Sequence, residues 1–186
     1  KWLLRQKVDI NARDHLGRTP VMLAARPPFA WVPGGCLKPL FEAGVRLDGQ
    51  DKAGLTVIDH AEQGGSWENV MKVVQAGARP SDAAALLRRF IEHTGRQRVA
   101  EKAALDFTRR LLPETKDLSF FRAEGRSLLN WAVLMSSPPL AKAFLAAGAK
   151  INEADDTGHT TLDWAVKTRN PAMISFLIEA GASGDH

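Results

Sequence analysis

Two stretches near the C-terminal end are close copies of one another. GRSLLNWAVLMSSPPLAKAFLAAGAKIN starts at Gly125 and GHTTLDWAVKTRNPAMISFLIEAGASGD at Gly158, an offset of 33 residues. A unit of that length has too little interior to hold itself together. Copies laid flank to flank complete one another's apolar faces, so a 33-residue period predicts a stacked array. The same ending recurs upstream, as LLRQKVDIN (3–11), LFEAGVRLD (40–48) and VVQAGARPS (73–81), and then as FLAAGAKIN (144–152) and LIEAGASGD (177–185). Gly44 to Gly77 is again 33 residues, whereas Gly77 to Gly148 is 71, one period plus a 38-residue unit that has lost its signature.

The beginnings agree too: DHLGRTPVMLAA from Asp14, DKAGLTVIDHAE from Asp51, RAEGRSLLNWAV from Arg122 and DDTGHTTLDWAV from Asp155. Each position has a physical task. A glycine at the tip (Gly17, Gly54, Gly125, Gly158) suits a β-turn residue with positive φ. Two residues later, Thr19, Thr56, Ser127 or Thr160 is suited to cap the following helix, and Pro20 at the first helical position forfeits no hydrogen bond. Small residues (Ala24, Ala61, Ala132, Ala165) let that helix lie close to its neighbour. The second helix carries apolar pairs, Phe144-Leu145 and Leu177-Ile178, and stops at a left-handed glycine. Lys7 stands at that position in the first copy.

The combined pattern, D-x-x-G-x-T-P-L-H-x-A-A followed by V-x-x-L-L-x-x-G-A-x-x-N, resembles the ankyrin repeat. The likeness covers nearly the whole chain apart from residues 82–121. It implies an all-α fold, an ankyrin-type solenoid of helix-turn-helix repeats with short β-turn or hairpin connections. The expected organisation is a single domain: a partial repeat at 1–13, a repeat at 14–50 with an inserted loop at 26–35, a repeat at 51–81, a degenerate repeat at 82–121, then repeats at 122–154 and 155–186.

Departures from the pattern point to places where something beyond stacking is required. RPPFAWVPGG (26–35) forbids helix and carries Phe29 and Trp31, which are either tucked onto the stack or offered to a partner. QGGSWEN, with Trp67, occupies the equivalent place one repeat later. The degenerate unit reads as two helices, about 82–94 and 97–112. Ala84, Leu87, Phe90 and Ile91 form one inner face and Val99, Ala103, Phe107 and Leu111 the other, with the second helix longer than the family norm. Trp131 and Trp164 share a slot with Leu23 and His60, where packing between repeats is the expected role. Just beyond, Leu134 and Met135 are apolar on a face expected to be solvated. They offer either a soft contact spot or burial beneath the degenerate unit.

Signs of chemistry are missing from the sequence. The five histidines have no i, i+4 pair, Cys36 is the only cysteine, and no phosphate-binding loop or nucleophile-elbow motif occurs. The expectation is a protein without catalytic residues, metal or cofactor. At 45% apolar and 25% charged, the composition is that of a folded domain, and no apolar run approaches the length needed to insert in a membrane. Net charge is +4, and 81–116 holds eight basic residues against five acids, which a solvated helix face accommodates. The opening KWLLRQKVDINARD reads as the middle of a unit. A fragment or processed chain is therefore expected, with the cytosol as default compartment and export left open.

By resemblance the chain should bind another protein, remain monomeric when free, and act as an adaptor or as an inhibitor or immunity protein of an enzyme. Loosened motifs and Ala/Arg-rich composition also occur in bacterial ankyrin proteins. Expected contact residues at the turn tips are His15, Leu16, Arg18, Lys52, Leu55, Arg126, Asp156 and His159. The first-helix edge adds Gln63, Leu134, Met135, Lys167 and Thr168, and the loop adds Phe29 and Trp31. The alternatives are nucleic-acid binding through the Arg-rich unit, for which interleaved aromatics are lacking, and a spacer role within a longer array.

Overall fold

The computed structural model describes residues 8–26, 36–94, 100–115, 118, 122, 123 and 125–183. Lys7, the expected loop with Phe29 and Trp31, and Val99 lie outside the described residues. The chain divides into two compact units, Lys1–Ser81 and Asp82–His186.

Unit 1 contains α1 (Pro20–Ala25), α2 (Leu37–Glu42), α3 (Val57–Gln63) and α4 (Trp67–Gln75). Helix α1 packs on α3, and α3 on α4. Val21, Met22, Val57, Ile58, Val70 and Val73 close the interior. Ala61 is sealed where the helices approach, whereas Ala24 is half-buried and the neighbouring Ala25 is the sealed residue. The Asn69 amide donates to the Ala25 carbonyl at 3.0 Å, so a buried side chain satisfies an orphan carbonyl at the end of α1. Trp67 is the first residue of α4 and half-buried, held behind the Ser66 cap.

Unit 2 begins with α5 (Ala83–Thr94) and α6 (Glu101–Leu111), the latter running into a 3-10 turn at Leu112–Glu114. A two-residue hairpin, β1 (Arg122–Ala123) with β2 (Arg126–Ser127), leads into α7 (Leu128–Leu134) and α8 (Pro138–Ala146). Helices α9 (Thr161–Lys167) and α10 (Pro171–Glu179) repeat that pair at the 33-residue interval read from the sequence. Within the degenerate pair, α5 at 12 residues exceeds α6 at 11, so both helices are extended rather than the second alone. Leu87, Phe90, Ile91, Phe107 and Leu111 are buried as their spacing predicts.

Capping follows the pattern at three of four positions. The hydroxyls of Thr56, Ser127 and Thr160 accept from the backbone N–H three residues on, at 3.3 Å each. Thr19 has the extended cap backbone but its buried hydroxyl makes no such bond. A second recurring device joins the helices of three pairs, α3–α4, α7–α8 and α9–α10. Gly65, Ser136 and Arg169 all have positive φ (69°, 51° and 51°), and each is followed by a cap residue, Ser66, Ser137 or Asn170. Two of these left-handed positions therefore hold residues with a Cβ, at a cost of order 1 kcal/mol each.

Phe144 is fully buried, but Leu145 beside it is half-exposed; likewise Leu177 is sealed and Ile178 is 58% exposed. The apolar pairs read from the sequence thus contribute one core residue each.

Candidate partner-binding surface

The turn tips are organised by their leading aspartates. Asp51 Oδ1 accepts from the Ala53 and Leu55 N–H groups at 2.8 and 3.0 Å, and its Oδ2 pairs with His60 Nε2 at 2.9 Å. Asp155 does the same with Thr157 N–H (2.9 Å), His159 N–H (3.0 Å) and the Thr157 hydroxyl (2.7 Å), while its Oδ2 accepts from Trp164 Nε1 at 2.7 Å. Burial pushes the Asp155 carboxyl upward most strongly of the individual influences. Donors from Thr157, Trp164 and the His159 backbone together outweigh it and hold the group well below the ordinary carboxylate range. Asp14 is held at about 2, mainly by the Arg18 guanidinium, whose Nε lies 2.9 Å from its Oδ2.

The two tryptophans of the shared slot diverge at this point. Arg122 stands where the other copies have aspartate, so Trp131 has no carboxylate nine residues upstream. Its ring is buried against Phe90 and Phe144, with centroids 6.1 and 5.9 Å away, and its indole N–H has no hydrogen-bond partner among the described residues. Trp164, anchored by Asp155, is half-exposed. The Arg126 guanidinium sits 4.9 Å from its ring centroid and Lys167 Nζ 5.4 Å. Both distances are within the range of a cation–π contact. His159 approaches the ring edge at 6.2 Å.

His159 also fixes Lys167. The single proton of the Thr157 hydroxyl goes to the Asp155 carboxylate, so the hydroxyl oxygen receives His159 Nδ1–H at 2.7 Å. That tautomer leaves Nε2 free to accept from Lys167 Nζ at 2.6 Å. Asp156, exposed at the same tip, donates its backbone N–H to the Gly125 carbonyl at 3.0 Å and so ties the two tips together. The backbone at Gly125, with φ 76°, favours glycine, and an added Cβ would also sit 2.8 Å from Asp156 Oδ2 and push that exposed carboxylate aside.

Of the residues expected at the surface, unit 2 therefore gathers Arg126, His159 and Lys167 around one aromatic ring, with Asp156 on the same turn tip. Thr168 caps α9, exposed, its hydroxyl donating to the Trp164 carbonyl at 2.9 Å. Leu134 is 40% exposed at the end of α7 and Met135 half-buried at its cap, on the helix that packs against α9. In unit 1, His15, Leu16 and Lys52 are exposed on tips joined by a 2.9 Å bond from Lys52 N–H to the Leu16 carbonyl. Arg18 is engaged with Asp14, Leu55 is half-buried, and Gln63 accepts from Arg26 at 3.2 Å. Phe29 and Trp31 lie outside the described residues. Trp164 is the residue that sequence reasoning assigned to packing and the structure puts on the surface. The signal was present, because only its copy among the two tryptophan repeats has the turn aspartate.

Among the described residues, no group of three His, Cys, Asp or Glu side chains is arranged to hold a metal. Nor is any helix among them long and apolar enough to cross a membrane.

Residues 97–186 match the ankyrin-repeat family, in three copies. That part of the chain is an ankyrin-repeat region. Ankyrin repeats are protein-interaction modules, and the match begins just ahead of the degenerate unit's second helix. No curated protein matches the chain. Among solved structures, a chain from the complex of the Bd0816 predatory endopeptidase of Bdellovibrio bacteriovorus with immunity protein Bd3460 is similar at 21% identity. The alignment covers 96% of this chain and 89% of that one, with a TM-score of 0.43.

Proposed function

We propose that this chain is a non-catalytic binding module. It engages a partner protein through its turn tips and first-helix edge, and acts as an adaptor or as an inhibitor of an enzyme. The observation that carries the reading is the half-exposed Trp164 with Arg126 and Lys167 both within cation–π distance of its ring. A sealed aromatic such as Trp131 serves the stack. A half-exposed indole fixed by a hydrogen bond and flanked by two cations presents a rigid, preorganised contact. Tryptophan and arginine in such positions carry much of the energy at protein interfaces. Leu134 and Met135, on the adjoining helix, extend the surface with apolar area, and Lys167 and Arg126 supply the charge that steers encounter.

The test uses two immobilised baits, the native chain and its Trp164→Ala variant. A partner retained by the first and lost from the second supports this surface, and equal retention by both refutes it. Adaptor and inhibitor separate by assaying the captured partner. If it is an enzyme whose activity falls to near zero at saturation, the chain inhibits it; unchanged activity assigns the adaptor role.

A further inference from the structure

A second feature of unit 2 lies away from the tips. Between α6 with its 3-10 turn and α8 is a cleft of about 500 Å³, a size typical of ligand sites. Among the described residues it is lined by Leu112, Pro113, Ala143, Ala146 and Ala147, together with two cationic side chains, Arg109 and Lys142. Both cations are exposed, and neither has an ion-pair partner among the described residues. Asp106 and Glu114 lie on neighbouring turns, but no carboxylate among the described residues lines the cleft.

Stacking does not demand these residues. One repeat later, the positions of Lys142, Ala143 and Ala146 hold Ser175, Phe176 and Glu179. The cleft exists because α8 has shed bulk there and because the degenerate unit supplies a wall that regular repeats lack. That wall is fixed, since the Thr115 hydroxyl donates to the Leu112 carbonyl at 2.6 Å and closes the 3-10 turn.

We infer that this cleft is a second binding site, taking the free C-terminal carboxylate of a peptide whose last side chain is aliphatic. Arg109 offers a planar fork that matches a carboxylate, and Lys142 a mobile point charge. The Leu–Pro–Ala floor accepts one branched aliphatic group and provides no aromatic face for a nucleobase to stack on. Helix α8 ends at the cleft with the equivalent of about half a negative charge, which two full cations exceed. The site is independent of the Trp164 surface and stands or falls separately from it.

The experiment titrates the full chain, labelled at alanine methyls, with acetyl-Ser-Glu-Leu carrying either a free C-terminal acid or an amide. The expected result is saturable shifts at Ala143, Ala146 and Ala147 with the acid, and binding at least tenfold weaker with the amide. Arg109→Ala with Lys142→Ala should weaken the acid by a similar factor. Ala146→Glu, at an exposed position, should abolish it while leaving the melting temperature and the Trp164 resonance unchanged. Equal shifts with acid and amide, shifts centred on Trp164, or no saturable shift would overturn the assignment. So would a single-stranded oligonucleotide that moves the same methyls with a steep salt dependence, since the basic cleft would then be a nucleic-acid site.

Discussion

Replacing each slot tryptophan by phenylalanine should have opposite consequences, because one indole N–H is orphaned and the other is bonded to a carboxylate. At Trp131 the substitution removes a buried donor with no partner among the described residues, and leaving such a donor unsatisfied costs about 1–3 kcal/mol. The smaller ring leaves a void that costs about 1 kcal/mol. Trp131→Phe is therefore expected between neutral and roughly 2 kcal/mol stabilising. At Trp164 the same change breaks a 2.7 Å bond to Asp155 Oδ2. A hydrogen bond to a charged acceptor contributes about 1.5–3 kcal/mol, and the half-exposed site recovers little by repacking. The two variants should differ by about 1.5–5 kcal/mol, or roughly 3–20 °C in melting temperature for a chain of this size. Urea and thermal unfolding of both variants measure this directly. On an Asp155→Asn background the Trp164→Phe cost should shrink by more than half, while Trp131→Phe should be unaffected. A Trp131→Phe variant destabilised as much as Trp164→Phe would refute the reasoning.

Three further outcomes are expected. Asp155 is held below the ordinary carboxylate range in the folded state, so it contributes stability that is complete above the unfolded value near 4 and is lost as pH falls through the depressed one. Asp155→Asn should accordingly flatten the acid limb of a pH–stability profile below about pH 4. Phe144→Ala should cost about 3–5 kcal/mol as a sealed core ring, whereas Leu145→Ala, half-exposed, should cost well under half as much; equal values in urea melts would misplace the core. Arg169→Gly relieves a left-handed residue at the α9–α10 turn, where unit 1 already has Gly65. It should stabilise by about 0.5–1 kcal/mol, read as a rise of a few degrees in melting temperature.

What could be read from the sequence, and what could not, follows the range of the interactions involved. The tip glycines and the cap hydroxyls are local: each is dictated by backbone geometry within four residues, and each recurs at the 33-residue period often enough to be found by alignment of the chain with itself. The interhelix turn was equally local but escaped notice, because its left-handed residue is Gly65, Ser136 or Arg169 and so leaves no common letter. Side-chain fate is set across layers. Trp131 and Trp164 occupy one slot of one helix, yet an Arg for Asp exchange nine residues upstream, together with the aromatic neighbours Phe90 and Phe144, turns one ring into core. The other keeps its aspartate, stays at the tip, and acquires Arg126 from the preceding repeat. Leu145 fails as a core residue for a related reason, since an apolar letter within a helix does not specify which neighbour covers it. In a repeat fold the consensus therefore marks what stacking needs. The functional surface is to be sought where the consensus hydrogen bond is kept but the residue making it has been replaced by a larger one, as Trp164 replaces the His60 type.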